Sequence, residues 1–587
     1  MTRRLLALAF TAFVALTLWA QEAQKREMRT VWIATVSNID WPQTRGTGTA
    51  TINKQKKQLT DLLDGFVKAN MNSVCLQVRP MADALYKSSY EPWSSYLTGT
   101  RGQDPGWDPL AFAVEECHKR GLEINAWVNP YRFSNSSGND CTTAIDQNLK
   151  NSGILMQVGN RIVFNPALKA SRDHLLKVCK EMIQNYDIDG IIFDDYFYPG
   201  GGTPEDSSAP DYQLYTQSNS GMSIGDWRRA NVNQMVKDMW DMVQATKPYV
   251  KFSIGPAGVA GQRATSATKH GVVPVDEYCR ASDWQYNSIY SDPLAWLEEG
   301  TIDYISPQLY WKTTHVTNPF GPLTNWWSYI AEHFGRHHYA SHNIYFMAET
   351  NTKADWDEIL QQIRYSRQYN RQNAPGVNFY SAKYIDGPTC KGLADYLSQT
   401  LFTHKALEPA MPWHSKTNYD APANLAYSGG TLSWTGVNKA LVRYSVYAVP
   451  LTVTLDEAQS QAFDGIKSDY LVGVTYTPSF KLDASLQSGY WYAVCVVDGW
   501  NNEFAPAFYN LATEYADKVT LVSPIAGAAA TWNQQFAWTA ADDATYELQI
   551  SDDATFGNVL IQRKQITSNT TTIDLGDLAA RKEEENT

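Results

Sequence analysis

The strongest constraint on the fold is an alternation of strand and helix signals that runs from about residue 25 to residue 405. Eight short apolar runs read as strands: RTVWIATV, NSVCLQV, EINAWVN, DGIIFDD, KFSIGPA, IDYISPQLY, NIYFMAE and GVNFYSA. Amphipathic stretches lie between them. Leu59, Leu62, Leu63, Phe66 and Val67 recur at the spacing of one buried helix face, as do Trp356, Ile359, Leu360 and Ile363. A helix between two strands returns the chain to the end where it started, so the strands must pair in parallel. Eight such units predict an α/β fold of the (β/α)8 TIM barrel type, with long insertions after strands three to six. The alternative, a doubly wound open sheet, lacks its Gly-rich phosphate turn after the first strand.

Beyond about residue 410 the pattern changes to alternating apolar and polar residues between turn signals, as in TLSWTG, ALVRYSVYAVP and SGYWYAVCVVDGW. This predicts small all-β sandwich domains of the immunoglobulin or fibronectin III type. One is expected over residues 416–512, with Trp434, Tyr444, Tyr447 and Tyr492 as core aromatics, and a shorter, incomplete one over 515–587. Residues 1–20 combine a basic start, an apolar stretch and a small residue, the pattern of a secretory signal peptide cleaved after Ala20. The protein is therefore expected to be exported, periplasmic or secreted. No other segment is apolar enough for stable membrane insertion.

A net charge of -12 argues against a nucleic-acid partner, which would call for a basic face. The seven cysteines are an odd number for an exported chain. Cys75 in a strand and Cys117 and Cys179 in helical patterns read as buried thiols rather than a disulfide framework. Nothing has the paired Cys/His spacing of a zinc site, so no metal and no cofactor is expected. Aromatics reach 13% of the chain, with 20 Trp and 34 Tyr. They supply large cores and also platforms on which sugar rings stack.

In a (β/α)8 barrel the chemistry collects where the strands end. Strand one is followed by Asn38 and Asp40, and strand two ends in Gln77 and Arg79, two apart and so on one face. Strand three gives Asn129, Tyr131 and Arg132, and strand four gives Asp194 and Asp195. Strand six gives Gln308, Tyr310 and Trp311, strand seven Glu349, and strand eight Tyr380 and Lys383. Each has a structural explanation taken singly, as a cap, an ion pair or packing. Together they bring carboxylates, amides, arginines and aromatic planes to one rim, without a nucleophile dyad, phosphate loop or nucleotide fingerprint. That combination suits glycoside hydrolysis, in which one carboxyl protonates the leaving oxygen and a second attacks or activates water. Adjacent strand residues face opposite ways, so Asp194 and Asp195 are not expected to flank one sugar. Asp194 shares parity with Ile192 and is the expected inward carboxylate, with Glu349 as its partner and Asp195 in support.

Five blocks, REMRTVWIATVSNIDWP, QVRPMADALY, AWVNPYR, DGIIFDDYFYP and ISPQLYW, occur in this order within residues 26–400. Together they resemble the bacterial glycosyl hydrolase-like 10 family. The resemblance implies a barrel glycosidase of the cell envelope whose substrate is the glycan strand of peptidoglycan, stripped of its stem peptides. It points to Arg79, Asn129, Tyr131, Asp194, Asp195, Gln308 and Tyr310 as site residues. Peptide-free glycan exposes lactyl carboxylates, for which Arg79 or Arg132 is a candidate clamp. Two other functions stay in view: a glycosidase of a host or dietary polysaccharide, and a non-catalytic cell-wall glycan-binding protein.

Overall fold

The computed structural model describes residues 24–575 except 201, 281, 347–351, 373, 386–389, 415–416, 440, 454–467, 511–519, 526, 540–545 and 552–558. Residues 1–20, expected to be a signal peptide, and Glu349 lie outside the described residues. Eight barrel positions are occupied in chain order by β1 Met28–Ile33, β2 Ser73–Arg79, β3 Glu123–Val128, β4 Gly190–Asp194, β5 Lys251–Gly255, β6 Tyr304–Ile305, β7 and β8 Gly376–Tyr380. β7 is split into His337–His338 and Ala340–Asn343. Its first segment pairs with β6 and its second with β8, so a single parallel sheet runs around the ring. The alternation therefore builds a TIM barrel, not an open sheet. The seventh strand lies upstream of the expected NIYFMAE run and ends at Asn343, where that run begins.

Two cores follow from the two-residue period of the strands. Met28, Trp32, Cys75, Trp127, Ile192, Tyr304 and Tyr339 meet inside the ring. Their neighbours Val31, Val74, Ala126, Ile191, Phe193 and Ile254 face outward to the helices, in one cluster with Leu59, Leu63, Phe66, Ile359, Leu360 and Ile363. All seven cysteines are buried, as the sequence suggested. Among the described residues no helix is long and apolar enough to cross a membrane.

The chain divides into two compact units, and the first takes in the barrel together with residues up to 449, 453–482 and 493–507. The strands that follow the barrel form a three-stranded sheet of Ala423–Ser428, Thr431–Thr435 and Ser479–Lys481, with Trp434 edge-on to Tyr444 at 5.1 Å. Arg443, Leu471–Thr475 and Val494–Val497 belong to a four-stranded sheet. This β region supplies side chains to the end of the barrel where the strands begin. Arg443, buried, places Nη2 2.7 Å from Glu408 and Nη1 2.8 Å from Glu123, the first residue of β3. Lys251, the first residue of β5, also reaches Glu123, at 2.7 Å. Next to them the Tyr476 hydroxyl donates to Asp189 and its ring stacks on His118 at 3.7 Å. Trp413 donates its indole N–H to Asp303. The second unit contains an antiparallel sheet of Leu521–Ser523, Asn533–Trp538 and Thr570–Asp574 and a hairpin of Tyr546–Ser551 with Val559–Ile566.

Candidate active site

At the opposite end, where the strands finish, a chain of side-chain amides spans the lumen. It starts at β1, where the backbone N–H groups of Thr35 and Val36 donate to Gln77 Oε1. Gln77 Nε2 donates to Asn129 Oδ1 at 2.7 Å, and Asn129 Nδ2 donates to Asp194 Oδ2 at 2.9 Å. From β6, Gln308 Nε2 donates to Asp194 Oδ1 at 3.3 Å and to the Gly255 carbonyl. Because Gln77 spends its carbonyl on two backbone donors, its NH2 group must face Asn129. That in turn fixes which end of Asn129 donates to Asp194. The carboxylate is thus held by donors from two strands, with a third strand orienting one of them.

The parity expected for Asp194 holds, since Ile192 lies in the inner core and Phe193 in the outer one. The alternation does not extend to Asp195, because β4 ends at Asp194. The Asp195 carboxyl is therefore not driven to the outer face. Its backbone N–H donates to Asp194 Oδ1 at 2.9 Å, and its own Oδ1 is buried without a hydrogen-bond partner among the described residues. Burial, the charge of Asp194 and a hydrogen bond to Asp194 push the Asp195 carboxyl well above the usual carboxylate range. The two aspartates stand side by side where β4 ends.

Around this pair stand aromatic rings. Tyr310 stacks on Tyr380 with ring centres 5.7 Å apart and planes 26° from parallel. Tyr196, the residue after the pair, is exposed, and the Arg132 guanidinium lies 4.4 Å over its ring. Among the described residues no carboxylate comes within ion-pair distance of Arg132. Below the pair the Trp32 and Trp127 rings meet edge to face at 4.8 Å, and neither indole N–H has a hydrogen-bond partner among the described residues. Trp32 reaches across to Gly255, where an added Cβ would stand 3.3 Å from its ring. Gly255 is the register partner of Asp194, so Trp32 forms a floor directly beneath the carboxylates.

Several expected site residues do other work. Arg79 is fully buried, donates to Glu91 through Nε (2.8 Å) and Nη2 (2.6 Å), and binds the carbonyls of Asn129 and Pro130. A bulge in β2 is the reason: Gln77 aligns with inward Trp127, but Arg79 aligns with outward Val128. The rule that residues two apart share a face fails there, and Arg79 points into the wall, away from any substrate. Tyr131 follows the end of β3 and is buried in the outer core, edge-on to Phe197. Asp40 staples the loop after β1 to the loop after β8. It accepts from the Ala34 and Lys383 N–H groups and the Ser381 hydroxyl. The Asn38 side chain braces its own loop, through the carbonyls of Pro42 and Tyr96 and the Arg45 guanidinium. The Trp311 ring packs over Gly258 and against the outer core. The structure therefore gathers Asn129, Arg132, Asp194, Asp195, Gln308, Tyr310 and Tyr380. To these it adds Gln77, visible in sequence only as a polar strand end, Tyr196, and the lumen tryptophans, which read simply as strand residues.

A model of the glycosyl hydrolase-like 10 family matches residues 27–357. Glycosyl hydrolase YngK of Bacillus subtilis (strain 168) is 38% identical over 424 residues, 71% of this chain and 80% of that protein. Glycosyl hydrolase DigH of Escherichia coli (strain K12) is 30% identical over 64% of this chain and 88% of its own. Among solved structures, the PgaB (BpsB) glycoside hydrolase domain from Bordetella bronchiseptica covers 63% of this chain with 13% identity and a TM-score of 0.41. The chain belongs to the glycosyl hydrolase-like 10 family and is a glycoside hydrolase.

Proposed function

We propose that this glycoside hydrolase is exported and cleaves the glycan strands of peptidoglycan, in the form freed of stem peptides, using Asp194 and Asp195. The observation that carries the substrate assignment is Arg132. It is a half-buried cation on the Tyr196 ring, beside the aspartate pair and without an ion-pair partner among the described residues. In intact peptidoglycan the lactyl carboxyl is tied up as an amide to the stem peptide. Once the peptide is removed it becomes a carboxylate, and a guanidinium can hold it through two parallel hydrogen bonds. Arg79, the other candidate clamp, is committed to Glu91. Tyr310, Tyr380 and Tyr196 offer stacking faces for the sugars on either side of the cleaved bond.

The test is digestion of intact sacculi and of amidase-stripped strands by the protein without residues 1–20, with products read by mass spectrometry. Cleavage of stripped strands only is expected. Asp194→Asn should lower turnover by about 10^2 to 10^4-fold while leaving the fold intact. Arg132→Met should raise KM for stripped strands and leave it unchanged for strands whose lactyl carboxyls have been converted to amides. Equal cleavage of intact and stripped material, or full activity of the Asp194→Asn variant, would refute the assignment.

A further inference from the structure

Glycosidases that use two protein carboxyls place them on opposite sides of the scissile bond, about 5 to 9.5 Å apart. Here the two carboxyls at the lumen belong to consecutive residues at the end of one strand, with Cα atoms about 3.8 Å apart, and they approach a sugar from one side. Among the described residues the carboxylates of the neighbouring rim loops are committed to other partners, and Glu349, the partner expected for Asp194, lies outside the described residues. Asp40 is held by three donors, Asp83 by Arg101, Glu91 by Arg79 and Asp211 by Arg228. β8, four positions from β4 around the ring, instead presents Tyr380, with Tyr310 stacked beside it. Burial and the nearby aspartates push both phenols up, so both remain hydrogen-bond donors.

We propose that the nucleophile is the 2-acetamido carbonyl oxygen of the bound sugar, with Asp195 as the acid and base and Asp194 as the acceptor that holds the acetamido N–H. This rests on the substrate reading above, in which every sugar of the strand carries a 2-acetamido group. In the first step the carbonyl oxygen bonds to C1 and the C1–O glycosidic bond breaks. The Asp195 proton goes to the leaving oxygen, and the N–H stays on nitrogen, hydrogen-bonded to Asp194, giving a bicyclic oxazolinium ion. In the second step water bonds to C1, its proton passes to Asp195, and the C1–O bond to the acetamido oxygen breaks. Atoms balance with one water consumed, and the anomeric configuration is retained.

The arrangement suits these roles. Asp194 is oriented by Asn129 and Gln308, both of which use its Oδ atoms from the side of the strands. Asp195 keeps one oxygen unpartnered among the described residues for the leaving group, and burial together with the neighbouring Asp194 pushes its carboxyl well above the usual carboxylate range, as an acid requires. A tyrosine hydroxyl opposite is a fitting donor to the acetamido oxygen as it becomes part of the ring.

The experiment has two independent arms on the protein lacking residues 1–20. In one, stripped strands, the same strands after chemical N-deacetylation, and deacetylated strands re-acetylated are digested in parallel. In the other, the thiazoline analogue of N-acetylglucosamine is titrated by calorimetry against the parent protein and Asp194→Asn. Deacetylation should slow cleavage about a thousandfold, and re-acetylation should restore it. The thiazoline should bind the parent at least about a hundredfold tighter than N-acetylglucosamine does, and Asp194→Asn should lose that advantage. Cleavage of stripped strands without thiazoline binding, or unimpaired cleavage of deacetylated strands, overturns the neighbouring-group mechanism and leaves the substrate reading standing. Tight thiazoline binding without cleavage of any strand supports the mechanism and overturns the substrate.

Discussion

Replacing Arg443 by Met tests whether the β region is part of the barrel or an appendage to it. The guanidinium is 2% exposed and lies between two buried carboxylates, Glu408 at 2.7 Å and Glu123 at 2.8 Å, with Asn501 accepting a third contact at 2.6 Å. Removing one partner of a buried pair costs about 3–5 kcal/mol, because the charge left behind has been stripped of water and gains nothing in return. Two features reduce that cost. Glu123 keeps Lys251 at 2.7 Å. Glu408 can take up a proton, since burial, partly countered by Arg443 and reinforced by Glu123, already pushes its carboxyl up to about 7. Without Arg443 it rises further. Above pH 7 the parent's folded state has released that proton while the variant's folded state still holds it. The variant therefore loses stability relative to the parent by about 1.4 kcal/mol per pH unit in that window. Urea unfolding at pH 6 and pH 8, followed by tryptophan fluorescence, should show a deficit at the low end of the range at pH 6 and a larger one at pH 8. In the Arg443→Met, Glu408→Gln double variant the extra loss at pH 8 should vanish. A deficit below about 1 kcal/mol, or one equal at the two pH values, would refute the idea that this guanidinium compensates a buried carboxylate at the barrel floor.

Other consequences are as direct. Truncation after residue 405 removes Glu408, Trp413, Arg443 and Tyr476 from the strand-start end, and the barrel alone should be recovered insoluble or unfolded by circular dichroism. Glu91 should dominate the acid limb of stability. Although burial raises it, Arg79 and His174 hold its carboxyl down at about 2. Its contribution, about 3 kcal/mol, is full above pH 4.5 and lost as pH falls toward 2, so Glu91→Gln and the parent should differ in midpoint at pH 7 and converge near pH 2. Asn129→Ala removes a donor to Asp194 and the acceptor of Gln77 Nε2, so kcat should fall about 10 to 100-fold and stability by about 1–3 kcal/mol. Gly255→Val puts branched carbons where the Trp32 ring stands at 3.3 Å from a first Cβ. It should lower kcat, and the overpacking should cost about 1–3 kcal/mol in urea unfolding.

The barrel was readable from sequence because its signals are local. Each apolar run is a strand and each periodic stretch a helix, and the crossover geometry admits only parallel pairing. The split of β7 was not readable, since HHYASHN carries little apolar weight and its pairing with β6 and β8 depends on both neighbours. The inward direction of Asp194 followed from counting by twos from Ile192. The same counting misled at Arg79, where a bulge inserts a residue, and at Asp195, where the strand has ended. Both failures share one cause. Two-residue parity is a property of a regular ladder, and active-site rims are where ladders stop or bulge.

What no local pattern could reveal was how far apart in sequence the partners would be. Arg443 meets Glu123 across 320 positions, and Tyr476 meets Asp189 across 287. Such pairs leave only an arginine in an otherwise ordinary β strand, or a tyrosine just after one. The alternating pattern predicted small sandwich domains beside the barrel, but buried ion pairs at the start of the barrel strands make this β region a structural floor. The site end and the floor end are then solved by different chemistry on the same eight strands. Amides orient a carboxylate at the rim, where a sugar must enter, while charges neutralise one another at the base, where nothing needs to. Variants at the floor should therefore change stability and leave turnover of folded protein and substrate preference untouched, whereas variants of the amide chain should lower turnover as well as stability. A floor variant such as Arg443→Met that altered the ratio of stripped to intact glycan cleaved would show that the two ends are coupled through the lumen tryptophans.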